Sequence, residues 1–259
     1  MVHWPFSTML LYFSLTVLAI DSVCAHGYVQ HIIANGQQSL GYDPGFRYQQ
    51  PPPAVAGWYA DNPDIGFVPT TSYNNSDIIC HKSSMPGLKH VDVQAGSTIT
   101  LTWAPAPWPE SHVGPLIDYI APCPANDCTN VSKADLKFVK LAQQALKPNV
   151  TSSTDWLKAW IIDDFRNMDS KWDILIPRDL KSGAYVLRHE IIALHSAWAV
   201  NGAQNYPQCI NINVLNGGDT AIEGGQSPTT FYQPEDPGIR FSVYDGLLRY
   251  PFPGPKLWR

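Results

Sequence analysis

The chain has 259 residues, 17 Lys plus Arg against 22 Asp plus Glu, and a formal net charge of −5 at pH 7. Charged residues are only 15% of the total and no basic patch is present, which argues against nucleic acid as a partner and for a neutral substrate. Twenty-three Pro and 18 Gly favour loop-rich β-structure over helices, and aromatic residues are plentiful at 12%.

Residues 1–25 read as a secretory signal peptide. Thr8 to Ile20 is mostly apolar but too short for a comfortable membrane span, and Val23 and Ala25 occupy the −3 and −1 positions of a cleavage site. The first five residues, MVHWP, depart from the usual pattern in having no Lys or Arg. Cleavage after Ala25 yields a secreted, extracellular protein that begins at His26, where an α-amine and an imidazole on one residue can chelate a metal. Loss of Cys24 leaves four cysteines, Cys80, Cys123, Cys128 and Cys209, for which three pairings exist. The closeness of Cys123 and Cys128 favours a local staple, and Cys80 with Cys209 would then tie distant parts of the chain. Sequons at Asn74, Asn130 and Asn149 are candidate glycosylation sites in a secreted chain.

His26 to Ala34 begins as a strand rich in β-branched and aromatic residues, and Asn35-Gly36 is a turn signal. Residues 37–57 read as a long irregular loop, too aromatic to be a mere solvated connection. Gly66 to Val68 and Ser76 to His81 read as short extended pieces. Asp92 to Trp103 is the cleanest strand signal, a Gly-containing turn followed by alternating Ser/Thr and apolar residues. Pro105 to Pro115 is neither helix nor central strand, because proline removes donors and fixes φ, so it forms a rigid loop presenting His112. Leu116 to Ala121 resumes as a strand. Asp135 to Leu146 has helical spacing at Leu136, Val139, Ala142 and Leu146, with a stop at Pro148. Trp156 to Phe165 fits either a short helix or a strand. Strands are expected over Trp172–Ile176, Tyr185–Ser196, Cys209–Leu215 and Phe241–Tyr244, and residues 250–255 form a proline-rich tail.

Many short strands without a βαβ rhythm argue for an all-β sandwich, and residues 26–259 read as a single domain. Among the histidines, His26 stands out through its terminus and His112 through its proline-held loop. Three nitrogen donors in one plane suit Cu(II) better than Zn, which prefers a tetrahedron. The segment His189-Glu190 to His195 is no zinc-protease motif, since its histidines are six apart in a β-branched run and not four apart on a helix. Either histidine can serve an active site as a donor or acid. Tyr206 precedes proline and is therefore extended; on chemistry alone it reads as a packed tyrosine beside a disulfide. The carboxylates Asp163, Asp164, Glu110, Asp118 and Glu190 mark no glycosidase pair. Neither G-x-S-x-G nor a P-loop occurs.

Several motifs converge on one family. His26-Gly27-Tyr28-Val29, Asp77-Ile78-Ile79-Cys80-His81, Ala95-Gly96-Ser97, Trp108-Pro109-Glu110-Ser111-His112, Tyr119 to Cys123, the run from Tyr185 to Ala197 and Gly202 to Ile212 resemble the cellulose-active lytic polysaccharide monooxygenases of auxiliary activity family nine, formerly glycoside hydrolase family sixty-one. The likeness covers essentially the whole mature chain. It implies an immunoglobulin- or fibronectin-like β-sandwich with long loops, one or two short helices and a flat face. It implies one copper ion per mature chain, held by the amine and imidazole of His26 and the imidazole of His112, with Tyr206 as axial tyrosine. His195 and Gln204 match the pair that hydrogen-bonds the oxygen species. Tyr250 matches an exposed tyrosine that stacks on polysaccharide, joined as a substrate residue by Tyr28 and by Tyr48 of the aromatic loop. The disulfides would be Cys80–Cys209 and Cys123–Cys128.

The implied activity is oxidative cleavage of β-1,4-glucan, cellulose above all, at C1 and/or C4. It uses dioxygen or hydrogen peroxide and an external electron donor, a small molecule or a protein such as cellobiose dehydrogenase. A monomer without a carbohydrate-binding module is expected. This chain departs from the family in Val113, where His or Lys is frequent, in a longer segment before His112, in a wider Cys123–Cys128 spacing, and in Trp198, where polar residues are common. Two other readings compete: a secreted polysaccharide-binding protein that holds copper without oxidising carbohydrate, and a carboxylate glycosidase.

Overall fold

The computed structural model describes residues 1, 26–148, 150, 156–246 and 249–259. Residues 2–25 of the proposed signal segment and the sequon at Asn149 lie outside them. Strand β1 (Tyr28–Ala34) ends at Asn35-Gly36, both with positive φ (51° and 72°), and returns as β2 (Gln37–Leu40). Positive φ at both turn residues matches the natural twist of a hairpin, and Asn and Gly tolerate it best. The chain continues through β3 (Val68–Pro69), α1 (Asp77–Cys80), β4 (Val91–Gln94), β5 (Thr98–Ala104), β6 (Leu116–Pro122) and β7 (Val139–Gln144). It closes with α2 (Ile161–Asn167), β8 (Lys171–Leu175), β9 (Gly183–Ala193) and β10 (Gln204–Leu215).

One sheet has the order β2-β1-β5-β8, and the other runs β3-β10-β9-β6-β7 with β4 added to β10. The alternation read in β5 turns Ile99, Leu101 and Trp103 into the core. Strand β9 is buried on both faces, and its apolar residues are interrupted only by Arg188, His189 and Glu190, each of which is paired. On the face between the sheets, His189 Nδ1 meets Asp118 Oδ1 at 2.6 Å beside the Trp103 ring. On the other face, Arg188 and Glu190 form a two-pronged buried ion pair at 2.8 Å in each arm. Arg188 also donates to the Ile78 and Ile79 carbonyls at the end of α1, and Glu190 accepts from Asn205 and Tyr232. The disulfide Cys80–Cys209 joins α1 to β10, and Cys123–Cys128 closes the loop after β6.

Four elements differ from the sequence-based expectation. The helical spacing over 135–146 is instead a turn followed by β7, because Val139 to Gln144 pairs with β6 around a register shift at Asp118/Tyr119. Ser76 to His81 contains the single-turn helix α1, not an extended piece. Residues 37–57 include β2 and a 3-10 turn, Pro44–Tyr48, that is capped by Asp43 accepting from Gly45 N–H. Phe241 to Tyr244 joins neither sheet; Phe241 N–H donates to the Ala197 carbonyl and docks the segment onto the loop after β9.

Candidate functional site

The antiparallel register brings the chemistry to one rim. Gln204 at the start of β10 pairs with Ala193 at the end of β9, and Leu116 at the start of β6 pairs with Ile191. His195 follows β9, His112 precedes β6, and His26 precedes β1, so all three project from the same end. The His26 and His112 rings lie 6.3 Å apart, nearly perpendicular at 86°. His195 lies against His112, with centroids 4.1 Å apart and planes tilted by 33°. Tyr206 is fully buried, with its ring 6.1 Å from that of His26.

The imidazoles are held neutral. Burial draws His112 down to about 3, helped by the neighbouring His195 and His26. Burial also lowers His26 and His195; at His26 it outweighs the upward pull of Asp64. A metal-ligating imidazole must be deprotonated, so this environment favours the ligand form. Ser111 Oγ lies 3.1 Å from His112 Nδ1, which leaves Nε2 as the ring atom free for a ligand role. Among the described residues no three His, Cys, Asp or Glu side chains form a metal-holding group. Two imidazoles therefore fit a metal only with a donor that is not such a side chain, and an α-amine on His26 would be that donor.

The neighbouring polar groups are also set. Tyr206 O–H donates to Gln204 Oε1 at 2.8 Å, so the Gln204 amide N–H groups are left to donate outward. Burial raises the Tyr206 hydroxyl far above its ordinary range and keeps it protonated. Among the described residues, His195 Nδ1 is buried without a partner. An unpaired lone pair there is cheaper than an unpaired N–H, so the proton of the neutral ring belongs on Nε2.

The predicted substrate residues separate. Tyr48 is 81% exposed on its 3-10 turn. Tyr28 is half-buried and tied to the 41–48 loop by its hydroxyl, which donates to Asp43 at 2.9 Å. Tyr250 is not an exposed stacking residue. It is buried among Trp160, Phe241 and Phe252, and its hydroxyl donates to the Gly238 carbonyl. The exposed aromatic residues near His195 are Tyr244 and Trp198, at 51% and 63%. Tyr244 O–H donates to the His195 carbonyl at 2.8 Å, and its ring meets Trp156 edge-on at 4.6 Å. The sequence carried a signal for this exchange. Tyr244 precedes a polar Asp-Gly turn, whereas Tyr250 sits in a Tyr-Pro-Phe-Pro run suited to packing. Asn74 and Asn130 are both exposed.

The carboxylates are occupied elsewhere. Glu190 and Asp118 are in the buried pairs described above, Asp163 and Asp164 bind Lys147, and Glu110 lies 3.8 Å from Arg166. His189 belongs to the core, which leaves His195 as the histidine of that strand at the rim.

Fold and site define a class: a β-sandwich that presents neutral imidazoles, a buried tyrosine and outward hydrogen-bond donors on one rim. The model of Auxiliary Activity family 9 (formerly GH61) matches residues 26–250. An AA9 family lytic polysaccharide monooxygenase F of Malbranchea cinnamomea is 47% identical over 244 residues, 94% of this chain and 96% of its own length. AA9 family lytic polysaccharide monooxygenase cel61B of Hypocrea jecorina is 40% identical over 242 residues, 92% and 94% of the two chains. The solved structure of Cel61B from Hypocrea jecorina, a glycoside hydrolase family 61 member, superposes with a TM-score of 0.84 at 40% identity, covering 90% of this chain and all of that one. The chain belongs to Auxiliary Activity family 9, whose members are copper-dependent lytic polysaccharide monooxygenases. The family cleaves polysaccharide oxidatively, with an oxygen co-substrate and a reductant.

Proposed function

We propose that this chain is a secreted monooxygenase that cleaves β-1,4-glucan, cellulose in particular, at C1 and/or C4. The oxidant is dioxygen or hydrogen peroxide, and an external reductant supplies electrons. The observation that carries the reading is the facing pair of neutral imidazoles, His26 and His112, on the rim where the family match begins. Cleavage after Ala25 gives His26 its α-amine. That amine and the two imidazoles would hold one copper ion per mature chain. Copper at this position supplies one-electron redox chemistry and activates the oxygen co-substrate toward a glycosidic C–H bond.

The chain's own residues do the rest. His195 Nε2–H and the Gln204 amide donate hydrogen bonds to the co-substrate and stabilise charge that develops on oxygen. Tyr206, protonated and fixed by Gln204, walls off one side. Insertion of one oxygen atom converts C–H to C–OH, and the hydroxylated linkage then breaks. Dioxygen requires two electrons and two protons for the accompanying water, whereas peroxide requires neither. Exposed Tyr48, Trp198 and Tyr244 offer ring faces to sugar rings, with Tyr28 bracing the loop that carries Tyr48. Residues 26–259 act as a monomeric single domain. The electron donor is a small molecule or a protein such as cellobiose dehydrogenase, and Asn74, Asn130 and Asn149 are glycan sites.

The copper-loaded mature protein, incubated with cellulose and ascorbate plus dioxygen or peroxide, should release oligosaccharides carrying oxidised ends, read by mass spectrometry. Their masses and fragmentation separate C1 from C4 attack. Unoxidised oligosaccharides formed without reductant would contradict the reading.

A further inference from the structure

We infer that Trp108 and Ser170 form a positioning unit that fixes His112 and the His26 end of the chain relative to each other; the inference rests on the copper reading above. Trp108 is almost fully buried, at 1% exposure, and lies against His112 and Tyr206 and beside Gly27. Its indole Nε1–H donates to the His112 carbonyl at 3.0 Å. Its ring lies edge-on to Tyr206 at 5.2 Å and to His112 at 6.0 Å. Gly27, next to His26, rests on the same ring: a Cβ there would stand 3.2 Å from Trp108 Cζ3 and 3.0 Å from the Ala104 carbonyl oxygen. Without a side chain, Gly27 lets the first strand approach close enough for His26 to face His112.

Trp108 is in turn held by Ser170. The Trp108 backbone N–H donates to Ser170 Oγ at 2.8 Å. The Ser170 carbonyl accepts from Trp103 N–H at 2.9 Å, and its own N–H donates to the Phe165 carbonyl at 3.0 Å. One fully buried residue thus links the His112 loop, β5 and the end of α2. It does so at a backbone cost, because Ser170 has φ +55° and follows Asp169 at +54°. Glycine would occupy that conformation more cheaply. Serine there makes physical sense if the hydroxyl is in use, and the one backbone donor that it satisfies belongs to Trp108.

Trp108 and Ser170 touch no reacting atom, so their effect should appear in how the site binds copper and in its spectrum. Two variants test this. Trp108→Phe keeps an aromatic ring but removes the donor to His112. Ser170→Gly relieves the backbone and removes the acceptor for Trp108. Copper affinity by calorimetry and the Cu(II) electron paramagnetic resonance spectrum are read on mature wild type and both variants, alongside melting temperature. Each variant should bind copper about tenfold more weakly, the scale expected for losing one buried hydrogen bond, with altered hyperfine splitting. Ser170→Gly should melt within a few degrees of wild type. Should Trp108→Phe fail to fold, Ser170→Gly alone carries the test, because it leaves every ring in place. Wild-type affinity and an unchanged spectrum in folded Ser170→Gly would overturn the positioning role. Failure of wild type itself to bind copper would overturn the copper reading instead.

Discussion

His81 shows how a single buried residue ties the stability of the fold to pH. It is fully buried with φ +83°, its Nε2–H donates to the Gly66 carbonyl at 2.9 Å, and its Nδ1 accepts from Lys82 N–H. Burial draws it from 6.5 down to about 4. The unfolded chain therefore takes up this proton near 6.5 while the folded chain resists to about 4. Its contribution is complete above pH 6.5, is lost as pH falls from 6.5 toward 4, and levels off below, amounting to on the order of 3 kcal/mol. His81→Asn keeps an acceptor for Lys82 and tolerates the positive φ, so its stability in urea should fall less over that window. An equal slope in both proteins would contradict the assignment. His195→Gln probes the reacting rim. Copper affinity should stay within a few-fold of wild type, while the turnover rate should fall by roughly 10²-fold, the usual scale for losing a placed acid or charge-stabilising donor. A matching loss of copper affinity would recast His195 as a ligand.

At the scale of elements, β9 is where local pattern and tertiary context part. Its apolar run was legible as a strand, but the use of each face was not, because Arg188 and Glu190 look solvent-facing until α1 covers them. Glu190→Gln preserves shape yet leaves the Arg188 charge unpaired, so it should lower unfolding free energy by about 3–5 kcal/mol in chemical denaturation. A loss under 1 kcal/mol would show that the pair is not a structural keystone. Element β7 failed for a related reason. The spacing of Leu136, Val139, Ala142 and Leu146 fits a helix, but an open edge of β6 was available, and pairing with it overrides local preference. The turn at Asn35-Gly36, by contrast, needs only local φ and was legible, whereas its return strand β2 was read as part of a loop. Phe241 to Tyr244 has strand-like residues but joins neither sheet, so hydrogen bonds to the Ala197 and His195 carbonyls and ring packing of Phe241 on Trp160 and Tyr250 set its place.

Across the whole molecule, the sandwich gathers residues 26, 112, 195, 204 and 206 from four strand ends onto one rim. That gathering was invisible to spacing, since no two of the three histidines are close in sequence; family motifs carried it. The exposed aromatic surface was only partly legible, because exposure depends on which tail tyrosine the core claims. Tyr244→Ala and Trp198→Ala should each weaken cellulose binding several-fold in pull-down isotherms without changing the melting temperature. Tyr250→Ala should cost about 3–5 kcal/mol of stability as a buried aromatic truncation. Equal binding in the two surface variants would contradict the assigned face. Removal of residues 1–25 is proposed to create the copper site at His26. Its most direct test is a calorimetric copper titration of the protein beginning at His26 beside one carrying a single extra N-terminal residue. One tight site is expected in the first and an affinity at least about 100-fold weaker in the second, a difference of roughly 2.7 kcal/mol; equal affinities would rule out a copper site that depends on the free His26 amine.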